Sequence, residues 1–284
     1  MVKNINLDLC ESYYKGADQV ISGEKKQRYI KTIREFCLMD DVFLSAVFDE
    51  DIELTEMLLQ VILENDKIKV KTSKAQYGIK NLEGHSAVLD IFAKGSDGQS
   101  FNVEVQRVNK GDLLQRARYY LGLIDSKIFK AGDDYKHLND TYIIFITEQD
   151  ALGYDLPIYH IKRIIAENGA DVADGSHIIY VNAARQNKET ALGRLMHDFF
   201  CRNAAEMLNH KLAVKVGYMK EKGGVSKMCE LMQKLADKEA EERVHEEKVR
   251  IVERFLKAGA TVDLIIAGTN LSRDEVEAIA KRIA

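Results

Sequence analysis

The chain has 284 residues, 46% of them hydrophobic and 30% charged, with a formal net charge of −4. This balance excludes a disordered chain and a protein coated in positive charge, and leaves room for a sizeable core. No run approaches the ~18 apolar residues of a membrane span, and the start MVKNINLDLCESYYKGADQ lacks the basic and apolar regions of a secretion signal, so a cytoplasmic protein without membrane partners is expected.

Residues 1–25 mix charges, Ser and Gly without a period and read as an N-terminal arm. From Arg28 to Met39 the apolar residues Ile30, Ile33, Phe36 and Cys37 recur at helical spacing, and Val42 to Phe48 continue a compact apolar patch. DEDIELTEMLLQVILEN then puts Ile52, Leu54, Leu58, Leu59, Ile62 and Leu63 mostly on one side of a helix that also carries Glu53 and Glu56. The extended segment from Lys67 to Leu82 holds five lysines (Lys67, Lys69, Lys71, Lys74, Lys80) and no acid. Such a stretch is either a lysine-protected sheet edge or a local basic surface for nucleic acid.

After a hairpin, LDIFAKGSDGQSFNVEVQ, the run GDLLQRARYYLGLIDSKI predicts a helix to about Ile128, with Leu113, Leu114, Ala117, Leu121 and Ile124 packing on a sheet. TYIIFITE (141–148) and SHIIYVNA (176–183) read as strands, the first buried and central. One helix is expected from about Lys188 to Lys211, then a break at Gly223 and Gly224 and a long charged helix to about Lys257. The last stretch reads as a small helix-turn-helix-like unit, with Thr261 as an N-cap, Gly268 at a C-terminal stop, and Ser272 with Glu275 in a capping box. The organisation expected is therefore an arm (1–25), a core domain (26–185), a helical extension (186–257) and a small unit (258–284). The helices from Val225 onward suit packing or a homo-oligomer better than groove binding, since Arg273, Lys281 and Arg282 are the only bases in SRDEVEAIAKRIA.

Cys10, Cys37, Cys201 and Cys229 have neither CxxC spacing nor histidine companions, and read as reduced core thiols. His197 and Asp198 read as a helix-surface pair beside a core anchor. Phosphate-binding GxxxxGK[ST], HExxH and GxSxG motifs are absent.

The hairpin carries the chemistry. A three-residue loop Ser96-Asp97-Gly98, with Gly98 at positive φ, sets Lys94 opposite Ser100, Phe92 opposite Asn102, Asp90 opposite Glu104 and Val88 opposite Gln106 on one polar face. Leu89, Ile91, Ala93, Phe101, Val103 and Val105 would form the apolar face. Like charges across a strand pair repel, so a cation is expected between Asp90 and Glu104. A hard divalent ion on two carboxylates meets that need; an ion pair with Lys94 or Arg107, or plain exposure, would also meet it.

Asp90, followed by Glu104-Val105-Gln106 and then by LLQRARYY, resembles the D…(D/E)xK core of PD-(D/E)XK nucleases. More narrowly, LDIFAKGSDGQSFNVEVQ, RARYYLGLI and AGDDYKHLNDTYIIFI resemble the PD-(D/E)XK nuclease-family transposases, also called recombination-promoting nucleases, over about residues 28–160. The resemblance implies an α/β fold, a restriction-endonuclease-like core of mixed β-sheet flanked by helices, with a helical C-terminal extension. It implies a metal-dependent DNA endonuclease using Mg²⁺, or Mn²⁺, with Asp90 and Glu104 as ligands and the Val105 carbonyl as a third. Gln106 stands where lysine is usual. A neutral amide there can hydrogen-bond water but offers no charge, which also admits a catalytically weak DNA-binding protein of the same fold; Lys94 could supply a displaced charge. By the same resemblance Glu56 is an acid on the first core helix that, with Gln106, orients water, and Glu53 is its neighbouring rival. Gln115 and Tyr119 match a QxxxY spacing, while Lys69, Lys71, Lys74, Arg116 and Arg118 are candidate DNA-backbone contacts.

Overall fold

A computed structural model of the chain describes residues 23–81, 84–108, 111–221, 223–269 and 272–283. Most of the predicted N-terminal arm, and Cys10, thus lie outside the described residues. Three helices come first: α1 (Gly23–Glu35), α2 (Asp41–Phe48) and α3 (Ile52–Ile62). The helical spacing that ran on to Met39 is cut at Glu35. Asp40 takes the Cys37 N–H on its carboxylate at 2.8 Å and returns its own N–H to the Cys37 carbonyl at 3.0 Å, closing a tight turn instead. Asp51 caps α3 by accepting from Leu54 N at 3.1 Å.

The sheet contains β1 (Val70–Ile79), β2 (Ala87–Gly95), β3 (Ser100–Gln106), β4 (Thr141–Thr147), β5 (Ile158–Ile161) and β8 (Ser176–Asn182), in the order β1-β2-β3-β4-β8-β5. β1, β2 and β3 pair antiparallel, β3, β4 and β8 parallel, and β5 antiparallel to β8. A short side ribbon, β6 (Arg163–Ile164) with β7 (Asp171–Val172), and β5 itself, with four residues, are too short for the sequence to announce them.

The β2–β3 hairpin has the expected register from the turn as far as Ile91 and Val103, whereas the expected pairs Asp90 with Glu104 and Val88 with Gln106 are not among the paired residues. Lys94 faces Ser100, Phe92 faces Asn102 and Ile91 faces Val103, and Gly98 closes the turn at φ +84°. A Cβ at Gly98 would also meet the Asn139 amide at 2.5 Å, so both conformation and space call for glycine.

Parallel strands need a crossover, and α4 (Leu113–Ile128) supplies it between β3 and β4. Its stripe of Leu113, Ala117 and Ile124 is buried with Phe145 and Tyr180, and Phe92 packs against the same cluster. Leu114, expected in that stripe, is exposed, because it lies one residue round the helix from the 113/117/124 line. Leu89 also joins Phe92 in this cluster, against the expected strict alternation of β2. The break falls at Asp90, opposite Gln76 of β1, which has φ +48° and is missing from the paired residues on either side. Ile91, Ala93, Val103, Ile144 and Ile146 are buried as well, so both faces of the central strands are covered.

The single helix expected over 188–211 is two: α5 (Ala191–Phe200) and α6 (His210–Glu221). Asp198, fully buried, makes the break by accepting from Leu208 N and Asn209 N, each at 2.7 Å. It is a structural acceptor inside the fold, not part of a surface pair. Cys37, Cys201 and Cys229 are buried thiols outside any disulfide, as expected.

By contact density the chain divides into Met1–Cys229 and Glu230–Ala284, a boundary that falls inside the long helix α7 (Gly224–Lys257). Within the second unit, α8 (Val262–Thr269) and α9 (Arg273–Ile283) bury Ile265, Val276 and Ile279 with Val252. The capping box forms: Ser272 N donates to the Glu275 carboxylate at 2.8 Å and Glu275 N to the Ser272 hydroxyl at 3.3 Å. Leu264 N reaches the Thr261 hydroxyl at 3.4 Å, and α8 ends one residue beyond Gly268. No helix among the described residues is long and apolar enough to cross a membrane.

Candidate metal centre

β2 and β3 pair regularly from the turn as far as Ile91 and Val103; beyond that, side chains replace the ladder. Asp90 N donates to the Glu104 carboxylate at 3.2 Å, and Val105 N donates to the Asp90 carboxylate at 3.0 Å. Each acid thus takes the hydrogen bond that a strand carbonyl would otherwise accept. Toward β4, Glu148 N donates to the Gln106 carbonyl at 2.9 Å, so alternation turns the peptide groups of Val105 toward β2 and the two acids.

The acids do not share a solvated face. β3 is central in the sheet, α4 lies over it, and Glu104 is only 3% exposed. Burial, with Asp41 adding like charge, pushes Asp90 up to about 6 despite the Val105 N–H. Burial and the neighbouring Asp90 push Glu104 up to about 8. At neutral pH without a cation the pair therefore retains a proton, and its two ionisations belong to the pair as a unit.

Gln106 is tied at both ends of its amide. Its Nε2 donates to the Val108 carbonyl at 2.9 Å, and its Oε1 accepts from Arg116 Nη1 at 2.7 Å. Arg116, expected among the phosphate contacts, turns inward from α4 toward Glu104. Its Nη2 stands 3.7 Å from Glu104 Oε2 and 3.4 Å from the Tyr120 hydroxyl, and its guanidinium lies over the Tyr120 and Phe145 rings at 5.5 and 5.3 Å. Arg107, next in the chain, is held by Asp40 and Glu148, both at 3.1 Å, which anchors the end of β3.

Glu56 is not brought to the pair. Its carboxylate accepts from Lys69 Nζ at 2.8 Å and Val70 N at 3.0 Å, fastening α3 to the start of β1. Val70 faces Gly95, five positions along β2 from Asp90, or ~16 Å at strand rise. The Lys69 and Val70 hydrogen bonds hold the Glu56 carboxyl below its ordinary range. Glu53 lies beside Lys211, also away from the pair. The acid that does act on Asp90 is Asp41, in the first turn of α2; nothing in its sequence spacing singled it out.

Lys94 donates to Ser100 at 2.7 Å, on the turn side of the hairpin, away from the acids. Gln115 and Arg118 are exposed, and Tyr119 donates to the His85 carbonyl. Lys69 is committed to Glu56, whereas Lys71 and Lys74 stand exposed on β1, the edge strand nearest Asp90's strand.

The donor set fits a hard divalent cation. Two adjacent carboxylates with raised ionisation lack a full counter-charge, and oxygen donors are what Mg²⁺ and Mn²⁺ select. Asn102, fully buried two residues before Glu104, has no hydrogen-bond partner at either amide atom, although it lies near enough to ease Glu104's ionisation. Against the expectation that the cysteines lack histidine companions, Cys201 lies 3.5 Å from His197 Nδ1, one helical turn earlier, and with Asp198 they bring three ligand-type atoms together. There the Asp198 oxygens are already used by the 208–209 backbone, and burial pushes the Cys201 thiol up to about 11, away from the thiolate that metals bind.

A family model described as PD-(D/E)XK nuclease family transposase matches residues 42–253, well over half of the chain. No curated protein and no solved structure matches it.

Proposed function

The chain belongs to the PD-(D/E)XK nuclease family transposases, and from that premise we propose that it is a metal-dependent DNA endonuclease, acting in recombination or in the movement of mobile elements. The observation that carries this reading is the mutual hydrogen bonding of Asp90 and Glu104 where β2 and β3 part. Asp90, Glu104 and the Val105 carbonyl are the groups that would hold Mg²⁺ or Mn²⁺.

Hydrolysis of a phosphodiester joins a water oxygen to phosphorus, breaks the bond to one sugar oxygen, and delivers a water proton to that leaving oxygen. A bound divalent ion supplies Lewis-acid polarisation of the phosphate and a lowered pKa for water. The protein's part is to surrender the proton shared by Asp90 and Glu104, keep both carboxylates fixed on strands, and exclude bulk water from Glu104. Lys71, Lys74 and Arg118 are exposed bases for the DNA backbone, giving salt-sensitive binding with little sequence preference.

Gln106 favours a second reading, a DNA-binding protein with weak cleavage, because its amide is already engaged at both ends and carries no charge. Nicking of supercoiled plasmid with Mg²⁺ or Mn²⁺ decides between them. The endonuclease reading requires nicking by the wild type that Asp90→Asn abolishes; DNA binding with no metal-dependent nicking supports the second.

A further inference from the structure

We propose that Arg116 is the fixed cation of the reaction centre, holding Gln106 and Glu104 in place and offsetting the negative charge that builds on the phosphate. The inference rests on the endonuclease reading and deepens it, because it names the residue that completes the centre.

Hydrolysis passes through a phosphorane-like state carrying more negative charge than the substrate, beside two carboxylates. Such a site needs a positive group fixed in advance. Among the described ion pairs, Arg116 is the cation that reaches Glu104, at 3.7 Å from Oε2. It also donates to Gln106 Oε1 at 2.7 Å, so a neutral amide on β3 and a guanidinium on α4 form one unit.

Three contacts hold the guanidinium against reorientation: the Gln106 amide, the Tyr120 hydroxyl one turn further along α4, and the flat faces of Tyr120 and Phe145. A surface arginine that greets DNA at arm's length would be mobile and exposed; this one is half-buried and points at the acids. An arginine stays charged at any working pH, and its fork leaves further N–H groups for a non-bridging phosphate oxygen. Gln106 is then a positioning residue, and its neutrality is no defect, because the charge arrives through its partner.

Single-turnover cleavage with Mn²⁺ tests this in wild type, Arg116→Met, Arg116→Lys and Arg116→Met with Gln106→Lys. Methionine keeps an apolar stem on the rings, and far-UV dichroism checks each fold. The expected results are a loss of about a hundredfold or more in cleavage rate for Arg116→Met, with DNA affinity within about threefold, and at least tenfold recovery when Gln106→Lys returns a positive charge from β3. A residue that only braces α4 would not be rescued by a lysine on β3. Arg116→Lys should fall between wild type and Arg116→Met, which keeps the test open should Arg116→Met fail to fold. Cleavage by Arg116→Met or Arg116→Lys equal to wild type, or absence of rescue in the folded double variant, overturns the proposal while leaving the endonuclease reading intact. A wild type that cleaves nothing overturns both.

Discussion

The backbone N–H of Asp90 is held by the side chain of Glu104, at 3.2 Å to Oε1, in a stretch where two paired strands would use a carbonyl. The hairpin thus gives up a rung of its ladder to bring one acid against another, and the cost of burying them appears in the raised ionisation of both groups, with the charge of Asp90 adding to the rise at Glu104.

That cost sets a pH dependence of stability. Glu104 ionises near its ordinary value in the unfolded chain and only at about 8 in the folded one. Between those values the folded protein binds more protons than the unfolded, so stability without metal falls as pH rises. Thermal unfolding in EDTA should give a lower Tm at pH 8 than at pH 5. Glu104→Gln should remove most of this slope and be the more stable protein at pH 8; equal slopes in the two would refute the assignment.

Glu56 fastens a helix to a strand, away from the acids. Glu56→Ala should cost about 1 kcal/mol, the scale of a lost exposed ion pair and a backbone hydrogen bond, measured by urea denaturation. Its cleavage rate per folded molecule should stay near that of wild type. A hundredfold loss would return Glu56 to the reaction centre.

Lys71 and Lys74 are expected to touch phosphates. Replacing both by glutamine should weaken DNA binding about equally for unrelated sequences and flatten the slope of log affinity against log salt by about two. Fluorescence anisotropy across a salt series reads this out, and an unchanged slope would remove both lysines from the interface.

Asp198 replaces helix with loop by taking two backbone N–H groups. Asp198→Ala leaves those donors buried and unmatched, and should cost ~2–4 kcal/mol. A loss below about 0.5 kcal/mol in chemical denaturation would show that the 201–209 break does not depend on it.

Much of the hairpin was legible because loop length and strand alternation fix register locally: Ser96-Asp97-Gly98 sets the pairs from Lys94 with Ser100 to Ile91 with Val103, and Asp90 and Glu104 meet just beyond them. The burial of Glu104 was not legible. It follows from β3 lying between β2 and β4 under α4, a long-range arrangement that no spacing within the hairpin encodes. The direction of Arg116 was lost for the same reason, since on α4 alone it looked like a solvent-facing base. The kink at Asp90, which carries Leu89 into the α4 cluster, depends on Gln76 in the neighbouring strand at φ +48°. Asp198 looked like a helix residue because the backbone groups that it satisfies come ten and eleven positions later.

The central claim is that Asp90 and Glu104 together bind a divalent cation, and calorimetric titration with Mn²⁺ at pH 7.5 tests it most directly. The account predicts one saturable event in the wild type, with proton release revealed by heats that vary with the ionisation enthalpy of the buffer, since a pair raised to about 6 and about 8 must lose its proton to the metal. Asp90→Asn should abolish that event. Identical titrations for wild type and Asp90→Asn, or no uptake by either, would contradict it.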